Sequence, residues 1–218
     1  GNFNLDCADD TLHAGGTIAI SDGTITALSG DDGIHSDTEL TITGGTIDIQ
    51  KSYEGLEGVN INIEGGNISI VASDDGINVN DSNGLLNITA GTTYVNARGD
   101  GLDSNGSITM SGGTVLVDGP TSNGDGALDY DYTANITGGT LVTAGSSGMV
   151  QAITASDNKS TLNLYFTETQ KANTLVSITD ESGNLVCAYK PTKDFQNIVI
   201  YNSDILKNKK YTVSVGGT

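Results

Sequence analysis

The chain has no tryptophan, only two prolines, two cysteines and two histidines, and just nine lysines and arginines among its 218 residues. So few basic groups against 27 aspartates and glutamates leave a formal charge of -18, which repels phosphate and makes nucleic acid an unsuitable partner. Cys7 and Cys187 lie far apart, without the close spacing a zinc site requires; they read either as two free thiols or as a disulfide. No apolar run is long enough to span a bilayer, so membrane insertion is not expected. Amphipathic helical periodicity is missing too, as are a Ser/His/Asp grouping, a phosphate loop and a dinucleotide fingerprint. Those absences favour binding over catalysis.

What is present is glycine and repetition. Thirty glycines sit in a Thr/Ile/Asn/Ser-rich texture that predicts short strands and tight turns. A punctuation mark, usually Gly-Gly, ends at Gly23, Gly45, Gly66, Gly91, Gly113 and Gly139, at spacings of 22, 21, 25, 22 and 26. That period suits one turn of a parallel β-helix. Before each mark the inward positions run Ile20, Ile42, Ile63, Ile88, Met110 and Ile136; after it they run Ile25, Ile47, Ile68, Thr93, Val115 and Leu141. Alternation with period two predicts a strand on each side and a stacked apolar interior. The outward positions Ala19, Thr41, Asn62, Asn87, Thr109 and Asn135 predict a polar, solvated ladder.

On the second strand the outward series Thr26, Asp48, Ser69, Tyr94, Leu116 and Val142 turns apolar toward the C-terminus, which predicts a cover. Residues 158–218 can supply it. Their texture changes to strands near 161–167, 175–179, 185–189, 197–201 and 211–215, with a hairpin turn at Glu181–Asn184. The expected fold is therefore all-β: a right-handed parallel β-helix of six or seven turns over residues 1–157, and a small antiparallel cap over 158–218. Charge divides at the same place. Residues 1–157 carry 22 acidic groups and two basic ones, Lys51 and Arg98.

The acidic groups recur in columns at the corner after the second strand. One column is Asp9, Asp31, Tyr53, Asp74, Gly99, Asp125; the next is Asp10, Asp32, Glu54, Asp75, Asp100, Gly126; the third is His13, His35, Glu57, Asn78, Asp103, Asp129. Neighbouring turns sit about 4.8 Å apart, so like charges in a column repel unless a cation joins them. Calcium, which takes six to eight oxygen ligands, suits such a row. The candidate ligands are Asp32, Glu54, Glu57, Asp75, Asn78, Asp100, Asp103, Asp125 and Asp129. The competing reading is that Asp and Gly only shape the corners, by side-chain to backbone bonding and positive φ. His13 and His35 read as variants of a solvent-facing corner position, with a transition-metal pair as the alternative.

Asp31-Asp32-Gly33-Ile34-His35 followed by Thr41-Ile42-Thr43-Gly44-Gly45-Thr46-Ile47, recurring over residues 9–145, resembles a family of bacterial secreted carbohydrate-binding proteins from plant-degrading clostridia. Tyr53-Glu54 and Gly124-Asp125-Gly126-Ala127 depart from its pattern. The resemblance implies a right-handed β-helix shaped like pectate lyases, a secreted or cell-surface location, and association with calcium, cellulose and acidic sugars such as polygalacturonate. The function expected is calcium-dependent, non-catalytic binding of plant cell-wall polysaccharide by a monomer, with Lys51, Tyr53 and Arg98 as sugar contacts. Two alternatives stay open: a pectate-type lyase using Lys51 or Arg98 as base, and a structural or adhesive surface solenoid.

Overall fold

A computed structural model describes residues 1–217. The described residues form twenty strands and no helix. Along one column, Phe3, Ile25, Ile47, Ile68, Thr93, Val115 and Leu141 lie opposite one another in parallel register, turn upon turn. The expected β-helix is thus the fold, with about seven turns. Its first turn includes the strand Asn2–Cys7, which pairs with Thr24–Ser29. Gly1 stands before that strand as Gly23 does on the next turn, its carbonyl accepting from Thr24 N at 2.8 Å as that of Gly23 accepts from Thr46 N at 2.8 Å.

The glycine pairs explain the turn length. The second glycine of each mark, from Gly23 to Gly139, has a φ between 80° and 109°. Side chains other than glycine's avoid that left-handed region. A Cβ on Gly91 would also lie 2.8 Å from the carbonyl of Gly65 on the previous turn. Each pair therefore lets the chain turn where two backbones nearly touch.

Between the marks, the inward columns pack into one continuous core. Leu40, Ile42, Ile61, Ile63 and Leu86 are fully buried, as are the corner residues Ile34, Leu56 and Ile77 that follow the Asp-Gly signatures. Each such side chain contributes about 1.5–3 kcal/mol on burial, and a one-residue slip would expose a whole column. The outward ladder also forms. Asn62 Nδ2 donates to Thr41 Oγ1 at 3.4 Å, Asn87 Nδ2 to Asn62 Oδ1 at 3.3 Å, and Thr109 Oγ1 to Asn87 Oδ1 at 3.0 Å.

The parallel stack ends on an antiparallel neighbour. Phe195–Leu206 pairs with Thr140–Gly145 of the last turn and, on its other edge, with Lys159–Gln170. A strand edge that would otherwise attract other chains is thereby paired. Val176–Thr179 lies between Leu185–Tyr189 and Thr212–Val215 in a separate antiparallel sheet, whose hairpin is tied by Asp180 accepting the amides of Ser182 and Asn184, each at 2.8 Å. The apolar outward positions find their cover here: Val142 is buried with Val176, Ile178, Phe195, Ile198 and Ile200, and Leu116 packs against them. Tyr94 is covered differently, its hydroxyl donating to Asp118 at 2.8 Å beside Thr192. Cys187 is buried in this cluster and both cysteines are free.

Candidate functional site

The three corner columns form as aligned. His13, His35, Glu57, Asn78 and Asp103 are consecutive partners in parallel register, and Asp129 follows through the Leu102–Leu128 bridge. The first column is tied by its backbone, with Tyr53 N donating to Asp31 O at 2.7 Å and Asp74 N to Tyr53 O at 3.0 Å.

In the second column the carboxylates themselves join the turns. Asp10 Oδ1 accepts the Asp32 amide at 3.0 Å, Asp32 Oδ1 the Glu54 amide at 3.1 Å, and Asp75 Oδ1 the Asp100 amide at 2.6 Å. Asp100 Oδ1 accepts the Gly126 amide in the same way. Shaping the corner and facing the row are therefore not alternatives, because one oxygen of each carboxylate serves the backbone while the other faces the row. Glu54, one methylene longer, does not continue this ladder; it accepts from Asn78 Nδ2 at 2.7 Å.

Crowding has an electrostatic consequence. Burial, with the charges of Asp75, Asp100 and Asp129, pushes the Asp103 carboxyl up to about 7. Burial likewise pushes Glu54 and Asp75 up to about 7 and Asp100 to about 6, against the backbone or Asn78 hydrogen bonds that favour their charged forms. Asp32 is raised as well, by burial first and then by Glu57 and Glu54. Near neutral pH Glu54, Asp75 and Asp103 are thus only partly ionised, and a cation in the row would favour their charged forms.

Of the nine expected metal ligands, the structure gathers Asp75, Asp100 and Asp103 into one group whose oxygens lie within 4.8 Å of one another. Asn78 stands opposite Asp103, and its Oδ1 is buried without a hydrogen-bond partner. Gly99 completes the cradle, since a Cβ there would collide with the carboxylates of Asp74 and Asp75. An orphaned amide oxygen beside three converging carboxylates, with the space around them kept open, fits a hard cation. Asp32 and Glu57 are gathered instead with His35. Asp125 and Asp129 join no such group; Asp125 accepts from Ser122 Oγ at 3.1 Å, and Asp129 accepts from Gln151 Nε2.

Tyr53 is half exposed and lines a cleft of about 430 Å³ with Asp31, Asp32, Glu54 and Glu57. Burial is not what marks its hydroxyl, whose proton the neighbouring Asp74 holds up to about 12. Lys51 and Arg98 are exposed, and among the described residues neither forms an ion pair with a carboxylate. Neither lines the cleft that Tyr53 lines. Sequence reasoning missed Asp37, which approaches both histidines. Its position recurs in no column, so no repeat signal could have found it.

No curated protein and no solved structure matches the chain. A family model does match residues 31–205, which include the Asp75–Asp100–Asp103 group, Tyr53 and most of the strands beyond the last turn. By that match the chain belongs to the family described as carbohydrate-binding domain-containing protein.

Proposed function

We propose that this protein binds acidic plant cell-wall polysaccharide, polygalacturonate foremost and cellulose secondarily, without cleaving it, and that calcium at the Asp-Gly corner mediates the recognition. The observation that carries this reading is the convergence of Asp75, Asp100 and Asp103 beside the unpartnered Asn78 Oδ1. Those four residues would hold the ion, with Glu54, which accepts from Asn78, on the neighbouring turn. When bound, calcium supplies positive charge to the row and coordination positions open to a uronate carboxylate. The acidic surface repels a polyuronate otherwise.

The chain's own residues do the rest. Tyr53 offers a ring face and a hydroxyl at the edge of the row, suited to a sugar ring. Lys51 and Arg98, exposed and in no ion pair among the described residues, are available to carboxylates further along the polymer. A monomer at the bacterial cell surface or in the surrounding medium is the setting in which such a binder meets its ligand.

Affinity electrophoresis through polygalacturonate, with a parallel cellulose pull-down, tests the reading. Retention in calcium, release by chelator and recovery on re-addition are expected. Retention that chelator leaves unchanged rules the calcium bridge out.

A further inference from the structure

At the N-terminal end of the row, two imidazoles stand where later turns place oxygen donors. His13 and His35, partners on adjacent turns, stack with ring centroids 4.6 Å apart and planes 10° from parallel. Stacking sets like nitrogens side by side. Both Nδ1 atoms face Asp10 Oδ2, at 2.8 Å and 3.7 Å, and both Nε2 atoms face Asp37 Oδ1, at 3.2 Å and 3.5 Å. His35 Nδ1 also lies 3.3 Å from Asp32 Oδ2 and 3.0 Å from Glu57 Oε2.

A neutral imidazole carries one N–H, yet all four ring nitrogens here meet carboxylate oxygens. Donors bound to one zinc-sized ion at about 2.0–2.2 Å are themselves about 3.0 to 3.5 Å apart, depending on geometry. On the Nδ1 side the nitrogen–oxygen separations are 2.8, 3.0, 3.3 and 3.7 Å, at or near that spacing. Access is open as well, since the His13 side chain is 49% exposed while that of Asp10 is 9% exposed.

We propose that His13 and His35, with Asp10, Asp32 and Glu57 on their Nδ1 side, form a second metal site, selective for a borderline divalent ion of the zinc, cobalt or nickel class, while Asp37 accepts from the Nε2 N–H groups on the opposite side and fixes the tautomer. Imidazole nitrogen suits those ions, whereas calcium takes oxygen. One corner row would then hold two classes of cation: oxygen-seeking at Asp75–Asp100–Asp103, nitrogen-seeking at the first turns. An ion at the first site straps together the adjacent turns that carry His13 and His35.

The chain has only two histidines, so their ring resonances report the site without any substitution. Zinc is titrated into the whole protein with calcium saturating, which separates this site from the calcium reading, while imidazole nitrogens are followed by NMR. Both rings are expected to shift to metal-bound positions at one equivalent, and cobalt to give the visible absorption of a nitrogen-ligated ion. His13→Asn and His35→Asn should each weaken zinc binding by at least about tenfold. Asp103→Asn, which damages the calcium group, should keep the zinc response. Ring resonances that stay at free-imidazole positions through several equivalents of zinc overturn the proposal, as does zinc affinity unchanged from the parent in both histidine variants.

Discussion

Asp75 Oδ1 accepts the backbone amide of Asp100, one turn further along the solenoid, at 2.6 Å. The contact joins the scaffold to the site, because the same carboxylate belongs to the group formed with Asp100 and Asp103. Charge and hydrogen-bonding capacity can be removed from it separately.

Asp75→Asn keeps an oxygen for the Asp100 amide and removes a like charge from a crowded row. Metal-free stability is expected to hold or rise in this variant, while calcium affinity falls by about tenfold or more. Asp75→Ala also leaves the amide without its partner and should cost about 1–3 kcal/mol. Denaturant unfolding and calorimetric calcium titration read the two effects. A loss of stability in Asp75→Asn equal to that in Asp75→Ala would contradict the division of labour.

Stability should depend on pH with a definite sign. The folded values of about 6 for Asp100 and about 7 for Glu54, Asp75 and Asp103 lie above those of the unfolded chain, about 3.9 for Asp and 4.3 for Glu. The folded state thus binds more protons, and the stability contributed by these groups is fully present below about pH 4 and lost as pH rises through about 6 to 7. Without metal, the melting temperature should fall from pH 5 to pH 8, and calcium should flatten that fall. A metal-free profile that rises over this interval would refute the crowding of the row.

Tyr53→Ala is expected to reduce retention on polygalacturonate while leaving calcium affinity and melting temperature nearly unchanged. The residue is half exposed and lies outside the gathered carboxylates. Equal retention of variant and parent would remove Tyr53 from the sugar contacts.

Attachment of the C-terminal strands rests on a buried carboxylate. Asp118 accepts from Tyr94 Oη at 2.8 Å, Tyr189 Oη at 2.9 Å and Thr192 N at 2.9 Å, and from the Thr192 hydroxyl. Asp118→Ala removes the acceptor from two partly buried tyrosines and from Thr192 and should destabilise by about 1–3 kcal/mol, whereas Tyr189→Phe should cost about 0.5–1.5 kcal/mol. Limited proteolysis of residues beyond 158 should accelerate in the first variant only.

Gly91 tests the turn. With a φ of 85° and the Gly65 carbonyl against its missing Cβ, Gly91→Ala should lose about 1–2 kcal/mol from the backbone alone, with further loss from the contact. Equilibrium unfolding measures it.

The repeat itself determined the solenoid. Inward Ile and Leu at period two and a left-handed glycine every turn admit one register, because any other exposes a column of the core; that register also places the carboxylates in rows. The apolar drift from Tyr94 to Val142 announced a cover for the same reason, since apolar area must be buried somewhere. Tertiary structure alone decided which members of each column meet. Glu54 turns to Asn78 because of one extra methylene, Asp125 and Asp129 are drawn to Ser122 and Gln151, and Asp37 reaches the histidines from a position with no counterpart on other turns. Periodicity specifies the backbone rung by rung, whereas the direction of a polar side chain depends on the donors that other segments happen to bring within about 3 Å of it.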